Sequence, residues 1–148
     1  MEWVLLLNVA STGVMIGVIW LVQVVHYPLF GGVGRDGWTG YAAAHGRRTT
    51  WVVGPPMLVE LATGIALVLR PPQGIPPAAL WAGLALIAVA WASTALLQVP
   101  RHRVLGAGWD AAAHRSLVAG NWLRTAAWTL RGVLLLLVLA RLLPPLAG

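Results

Sequence analysis

The side chains in this sequence best suited to chemistry are its four histidines, His26, His45, His102 and His114. Imidazole exchanges protons near neutral pH and is a common ligand of zinc, copper and iron. Each histidine lies at or near the end of a long apolar stretch, where other polar side chains accompany it: Gln23, Tyr27, Arg48, Gln98, Asn121 and Arg124. The pattern predicts a polar rim at one end of a helical protein. Two readings stay open: at least two histidines share a site, or they gather by chance near helix ends.

A second feature is a pair of opposite charges inside apolar stretches. Glu60 lies nine residues after Trp51, and Arg131 lies nine residues after Trp122. If each tryptophan marks the start of a membrane helix, both charges lie roughly 14 Å below the same interface. An isolated charge at that depth is costly, and such charges almost always pair inside a bundle. Glu60 and Arg131 are therefore predicted to face each other, either as a structural pair or as a group that relays protons or binds a ligand. The remaining alternative is that Arg131 extends outward to the interface.

Helical periodicity connects the two features. Residues at intervals of three and four form one face of the last apolar stretch: His114, Leu117, Asn121, Arg124, Trp128 and Arg131. Glu60 is too deep to share a site with His45, because the fifteen residues between them span about 22 Å of helix. Glu60 and His45 are therefore not expected to share a site.

Several chemistries fit these residues. Histidines on neighbouring helices could be the axial ligands of a haem, with arginines near its propionates. Histidine and Glu60 could hold a non-haem metal, and a quinone-like ligand with polar ends would suit Trp, His and Arg equally well. The absence of Cys excludes thiolate chemistry and Cys-based metal sites. No serine has a local nucleophile signature, and no glycine-rich phosphate loop lies between a strand and a helix.

The elements that must position these residues are predicted to be membrane helices. Hydrophobic residues make up 59% of the 148 residues and charged residues only 9%, against roughly 25% charged in soluble domains. Spanning a bilayer takes about 20 apolar residues, and four stretches qualify: 3–25, 51–69, 78–99 and 122–143. Turn-forming residues separate them, above all the Pro-rich segment 71–77 and Pro144-Pro145. The prediction is one all-α domain, an integral membrane four-helix bundle.

The placement of arginine predicts the orientation. The connections between the first and second stretches and between the third and fourth hold most of the basic residues: Arg35, Arg47, Arg48, Arg101, Arg103 and Arg115. The opposite side has only Arg70 and Arg141. The positive-inside rule puts both long connections in the cytoplasm of a bacterium and both ends of this chain outside. The formal charge of +6 is explained in this way without nucleic acid as a partner.

Two motifs near the third and fourth stretches resemble a known group. The sequence LLQVPRHRVL followed by NWLRTAAWTLRG is similar to small four-helix bacterial membrane proteins grouped with anthrone oxygenases. In that group a V-P follows helix three and an N-x-x-R-T opens helix four, and the matching residues here are Val99, Pro100, Asn121, Arg124 and Thr125. The resemblance implies a four-helix membrane fold, and the anthrone oxygenases themselves need no cofactor.

The first half of the chain resembles the HemJ-type protoporphyrinogen oxidases more weakly. That family has P-x-L-F near the end of a helix and R-R before P-x-M in the next, which match Pro28, Leu29, Phe30, Arg47, Arg48, Pro55 or Pro56, and Met57. It also places a functional His early in its first helix and a Lys in its third. This chain has apolar residues at the first place and no Lys, which argues against carrying over porphyrinogen oxidation or haem ligation.

These observations predict a small inner-membrane protein that binds a hydrophobic or porphyrin-like ligand at a polar inner face. The candidate ligand-binding residues are Gln23, His26, Tyr27, His45, Arg48, Glu60, Gln98, His102, Asn121, Arg124 and Arg131. One alternative is a redox enzyme of oxygenase or oxidase type that uses His, Arg and Glu. Another is an accessory subunit without catalysis. Haem is one possible cofactor, and the predicted partners are the lipid bilayer, a small hydrophobic ligand and a second copy of the chain.

Overall fold

A computed structural model describes residues 1–142, and these residues form four long helices without a strand. We name the helices α1 (Glu2–Gly32), α2 (Arg35–Leu69), α3 (Pro77–Ala107) and α4 (Ala111–Leu142). Each is long and apolar enough to cross a membrane. The all-α, four-helix prediction is therefore confirmed. The predicted end of the fourth helix at residue 143 and the Pro144-Pro145 break lie outside the described residues.

The helices extend well beyond the predicted apolar stretches. α2 begins at Arg35 instead of residue 51, and α4 begins at Ala111 instead of residue 122. The prediction that the two arginine-rich connections are long loops is therefore wrong, because most of their residues continue the helices. The sequence estimate stopped at the first polar residues, whereas an amphipathic helix continues into water when one of its faces is packed. Trp38, which is buried at 1% exposure, supplies such a face in the first turns of α2.

Short breaks separate the helices. Only Val33 and Gly34 join α1 to α2, and Gly34 has a φ of 81°, which a residue with a side chain rarely adopts. The residues 70–76 join α2 to α3, as the Pro-rich segment predicted. At the start of α4 the carboxylate of Asp110 accepts a hydrogen bond from the backbone N–H of Ala113 at 2.7 Å, as an N-cap residue does. Short connections of this kind favour antiparallel neighbours.

The four helices form a closed ring in which each packs against the helix before and after it, and α4 packs against α1. Apolar side chains fill the centre in three layers along the bundle axis. The middle layer is formed around Met15, Met57 and Trp128. One end is closed around Phe30 and Trp38, and the other around residues near the chain start and the segment 70–76. We call the end with Phe30 and Trp38 the histidine end, because all four histidines lie near it.

Two π-helical turns interrupt the helices at the histidine end. They cover Val22–His26 in α1 and Thr94–Gln98 in α3, and each ends two residues before a proline, Pro28 or Pro100. Proline has no N–H to donate to the carbonyl four residues earlier. In a π-helical turn each N–H bonds the carbonyl five residues earlier, so a different carbonyl is left without a backbone partner. π-helical turns are frequent at functional sites. Here they include three of the predicted site residues, Gln23, His26 and Gln98.

Candidate functional site

The predicted charge pair is present at the centre of the bundle. Nε of Arg131 lies 2.9 Å from Oε1 of Glu60, and both side chains are almost fully buried. It is the one ion pair found within residues 1–142. The prediction that Glu60 and Arg131 face each other is therefore confirmed, and outward extension of Arg131 is excluded.

Groups from all four helices complete the hydrogen bonding of this pair. The carboxylate of Glu60 also accepts from the hydroxyl of Thr12 at 2.5 Å and from the indole N–H of Trp128 at 3.0 Å. The guanidinium of Arg131 donates to the carbonyl of Gly83 and to the side-chain oxygen of Asn8, both at 2.6 Å. A buried charge is tolerated when its partners are complete, so the network stabilises the arrangement of the four helices.

The space beside the charge pair is too small for a ligand. The cavity beside it, which Asn8, Gly83 and Arg131 line, has a volume of about 20 Å³, and one water molecule needs about 10–15 Å³ on the same measure. Each polar side-chain atom of Glu60 and Arg131 has a partner. These observations favour the structural role over the ligand-binding one for both residues.

The histidines form the second polar group, at the histidine end. Nε2 of His26 in α1 lies 2.9 Å from Nδ1 of His45 in α2, and Oγ1 of Thr49 lies 3.1 Å from the same Nδ1. The ring of His102 in α3 stacks on that of His45, with centroids 5.4 Å apart and an angle of 28° between the planes. Three of the four histidines thus share one site, as the first of the two readings has it.

Tyr27 contacts two of the histidines, His102 with its side chain and His114 with its backbone. Its hydroxyl lies 2.9 Å from Nε2 of His102, and its backbone carbonyl accepts a hydrogen bond from Nε2 of His114 at 2.8 Å. His114 lies apart from the other three rings, against Phe30 and Trp109. This places His114 in a structural role at the junction of α1 and α4.

The histidine geometry does not fit the metal and bis-histidine haem proposals. Within residues 1–142 no group of three or more His, Cys, Asp or Glu side chains could hold a metal ion. Nε2 of His26 and Nδ1 of His45 are hydrogen-bonded to each other at 2.9 Å, so no ion fits between them when each nitrogen needs about 2.0 Å to a metal. These two residues are therefore better described as a hydrogen-bonded pair than as ligands.

A cleft opens between α2 and α3 beside the histidines. Its volume is about 320 Å³. His45, Thr49 and Val53 line it from α2, and Tyr27 and Arg124 reach it from α1 and α4. The opposite wall is formed by residues of α3: Thr94, Gln98, Val99, His102 and Arg103. Four of the predicted site residues in addition to His45 therefore line one cleft: Tyr27, Gln98, His102 and Arg124.

Buried polar atoms in this cleft have no hydrogen-bond partner. The side chain of Gln98 is 1% exposed, and neither its Nε2 nor its Oε1 forms a hydrogen bond within residues 1–142. Nε of Arg124, in a side chain that is 6% exposed, also has no partner there. Most buried polar groups in proteins are bonded, and those that are not call for an explanation. Buried polar atoms of Trp91, Ser93 and Asn121, which do not line the cleft, also lack a partner within residues 1–142. The cleft differs from those places because it combines such atoms with a volume of about 320 Å³.

The other predicted site residues do not line the cleft. Gln23 accepts a hydrogen bond from Nδ2 of Asn121 at 2.9 Å and donates to the carbonyl of Val118 at 3.3 Å, which joins α1 to α4 behind the site. Arg48 is exposed and lines a neighbouring depression with His26 and His45 instead of the cleft. The structure therefore does not bring six of the predicted site residues into the cleft: Gln23, His26, Arg48, Glu60, Asn121 and Arg131.

Sequence reasoning missed several partners. Asn8 and Thr12 are polar residues one helical turn apart in the first apolar stretch, and that spacing could have identified them as partners of the charge pair. Thr49, which lines the cleft, lies one helical turn after His45, and the same spacing could have identified it. The carbonyl of Gly83 is accessible because this small residue lets α4 approach. The glycine indicates a close helix contact, but it does not indicate which side chain bonds the carbonyl.

Comparison of the chain with protein-family models, with curated proteins and with solved structures gives no match.

Proposed function

We propose that this chain is a multi-pass membrane protein that binds a ligand with an apolar body and a polar head in the cleft between α2 and α3. The observation that carries the proposal is Gln98, a buried amide that lines the cleft and has neither a donor nor an acceptor satisfied. Leaving such a group without partners costs about 1–3 kcal/mol. A bound polar head that accepts a hydrogen bond from Nε2 would remove part of that cost.

The tryptophans support a position in the membrane. Trp3 and Trp81 are exposed near one end of the bundle, and Trp20, Trp51 and Trp122 are exposed further along it. The helix from residue 3 to residue 20 is about 26 Å long, close to the roughly 30 Å thickness of the hydrocarbon core. Exposed tryptophans at two such levels are typical of the two membrane interfaces.

This position puts the cleft at an interface. In α2 the exposed large apolar residues begin at Trp51, and in α4 they begin at Trp122. The cleft includes Thr49, Thr50 and Val53, so it lies at the level of the headgroups. A membrane-borne molecule could enter from the side with its polar end near Gln98 and its apolar end in lipid. We further propose that the membrane is a bacterial inner membrane and that the histidine end is cytoplasmic, because most of the arginines lie there.

A photocrosslinking experiment tests ligand binding. The purified protein is incubated in detergent with diazirine-bearing hexadecanoic acid or hexadecanol, irradiated, and mapped by mass spectrometry. We expect crosslinks in α2 and α3 at residues of the cleft with at least one of the two probes. Crosslinks spread evenly over the lipid-facing surfaces would instead favour the accessory subunit that binds no ligand.

A pair of glycine variants provides the matched control. Gly46 lines the cleft and Gly40 lies on the same helix away from it, and a Cβ atom at either position meets no atom within 4 Å. Gly46→Leu should fill the cleft and reduce crosslinking about tenfold, a change of about 1.4 kcal/mol in affinity. Gly40→Leu should leave crosslinking unchanged. Equal crosslinking of both variants would overturn the assignment of the cleft.

An enzyme acting on the same ligand is a second candidate, favoured by the hydrogen bond between Tyr27 and His102. The two side chains line the cleft together, and a Tyr–His pair can give and take a proton. In that case a ligand incubated with the wild-type protein is recovered chemically changed, whereas Tyr27→Phe returns it unchanged. Unchanged ligand from both proteins would contradict the enzyme candidate and leave binding as the function.

A further inference from the structure

We infer that the polar head of the ligand is a carboxylate that pairs with Arg124, so that the cleft selects a single-chain carboxylate amphiphile over the neutral alcohol or the phosphate of the same chain. This inference rests on the proposed ligand site. Its evidence is the charge, the free donors and the shape of the cleft.

Arg124 is a buried cation without an acidic partner in the part of the chain that the structure describes. Within residues 1–142 no carboxylate lies within 4 Å of its guanidinium, whereas the other buried arginine, Arg131, pairs with Glu60. The ring of Trp128 lies 5.3 Å from Cζ of Arg124, and a cation over an aromatic face gains only part of what an ion pair gives. The hydroxyl of Tyr27 also interacts with the guanidinium, but it brings no negative charge. A buried charge without a counter-charge is costly, so an anionic ligand is favoured at this position.

The charge of the site matches one negative charge. Arg124 is the one buried cation among the residues that line the cleft, since Arg103 is exposed at the rim. A carboxylate brings a single charge, which Arg124 neutralises. A phosphate monoester brings up to two negative charges. The second charge would have no counter-charge in a cleft whose other walls include Val53 and Val99, and burying it would be costly.

The free donors match the two oxygens of a carboxylate. Arg124 and Gln98 both line the cleft, and the buried Nε of Arg124 and Nε2 of Gln98 both lack an acceptor within residues 1–142. Hydrogen bonds between a charged donor and a carboxylate are roughly twice as strong as neutral ones. The two N–H groups come from α4 and α3, so binding the head also joins two helices that line the cleft.

The shape of the cleft limits the ligand to one chain near the head. A volume of about 320 Å³ holds a small head and the first part of an alkyl chain, at the lower limit of ordinary ligand pockets, which run from about 300 to 1,000 Å³. The cleft opens between α2 and α3 past Thr50 and Val53, where the exposed surface of α2 is apolar. The remainder of the chain can therefore stay in the bilayer.

Competition between ligands of one chain length tests the inference. The whole protein in nonionic detergent is crosslinked with diazirine-bearing hexadecanoic acid, in the presence of unlabelled hexadecanoate, hexadecanol or hexadecyl phosphate, at mildly alkaline pH. Hexadecanoate should suppress the crosslink at about tenfold lower concentration than the other two. If hexadecanol or hexadecyl phosphate competes equally well or better, the carboxylate is the wrong head, although the ligand site itself stands. If none of the three competes, the proposed function fails with it.

Variants of one helix assign the preference to Arg124. Arg124→Gln should abolish the preference for hexadecanoate over hexadecanol and leave hexadecanol binding close to that of the wild type. Arg124→Lys, which keeps the charge, should restore part of the preference. Arg115→Gln removes an exposed arginine of α4 that does not line the cleft and should keep the full preference. An unchanged preference in Arg124→Gln would overturn the pairing. If that variant does not fold, the wild-type competition alone decides the outcome.

Discussion

The indole N–H of Trp128 donates to Glu60 at 3.0 Å, and the face of the same ring lies 5.3 Å from the guanidinium of Arg124. Trp128 therefore contacts two buried polar groups, one with complete hydrogen bonding and one with an unbonded N–H. On the side of Glu60 the hydrogen bonding is complete and there is space for about one water molecule. On the side of Arg124 there is a cleft and an unbonded N–H. The first group is expected to control stability, and the second is expected to control binding.

Breaking the central ion pair should destabilise the bundle. Glu60→Gln leaves the buried guanidinium of Arg131 without a counter-charge, and removal of one partner of a buried pair costs about 3–5 kcal/mol. Thermal unfolding of the purified protein in detergent should therefore shift to markedly lower temperature. The double variant Glu60→Gln/Arg131→Gln removes both charges and should recover part of the loss.

The double variant also provides the control for this prediction. If the losses of Glu60→Gln and Arg131→Gln simply add, the two side chains do not interact in the folded protein. Recovery in the double variant, in contrast, measures the coupling between them directly. Ligand crosslinking should persist in every variant that folds, because neither residue lines the cleft.

A methyl group at position 83 should disturb the same network from α3. A Cβ atom added to Gly83 would lie 2.8 Å from Nη1 of Arg131, which donates to the carbonyl of Gly83 at 2.6 Å. Gly83→Ala should therefore lower the unfolding temperature, although alanine is the better helix former by about 0.5–1 kcal/mol. Gly17→Ala is the matched control, because a Cβ atom there meets no atom within 4 Å, and it should be neutral or stabilising. Equal effects of the two variants would contradict the close approach of Arg131 to α3.

The sequence predicted what depends on pattern and on the cost of burying charge. Four apolar stretches indicated four helices, and equal depth below two tryptophans indicated that Glu60 and Arg131 meet. The helical extensions at the histidine end were not predicted, because their stability comes from the packing of Phe30 and Trp38 against residues distant in sequence, such as Leu105 and Leu117. Local polarity alone made these segments look like loops.

The composition of the site was predicted only in part. Helical spacing grouped Asn121, Arg124 and Arg131 on one face, and all three are buried. Hydrogen bonding is complete around Glu60 and Arg131 and incomplete around Gln98 and Arg124. This difference depends on side-chain conformations where the helices meet, as does the distance between His26 and His45. The π-helical turns change the direction of Gln23 and Gln98 relative to an ideal helix, and a regular period cannot supply that change.

The orientation in the membrane can be measured with single cysteines, because the chain has none of its own. Asp36 at the histidine end and Gln73 at the other end are both exposed. In a bacterial host we expect Gln73→Cys to react with a membrane-impermeant maleimide added to spheroplasts, and Asp36→Cys to react only after the membrane is opened. The reverse labelling pattern would place the histidine end, and the cleft with it, on the outer side.

Replacing the unbonded amide of the cleft should stabilise the protein while it abolishes binding. Gln98→Met keeps the length of the side chain and removes two buried polar atoms that have no partner within residues 1–142. Without ligand, the unfolding temperature should rise, by the equivalent of about 1 kcal/mol or more. The matched variant Asn8→Leu removes an amide that bonds Arg131, Thr63 and the carbonyl of Glu60, and it should lower the unfolding temperature. Crosslinking of hexadecanoic acid should fall in Gln98→Met and persist in Asn8→Leu if that variant folds. Loss of stability in both variants would mean that the amide of Gln98 serves the fold, and the cleft would then lose the observation on which ligand binding depends.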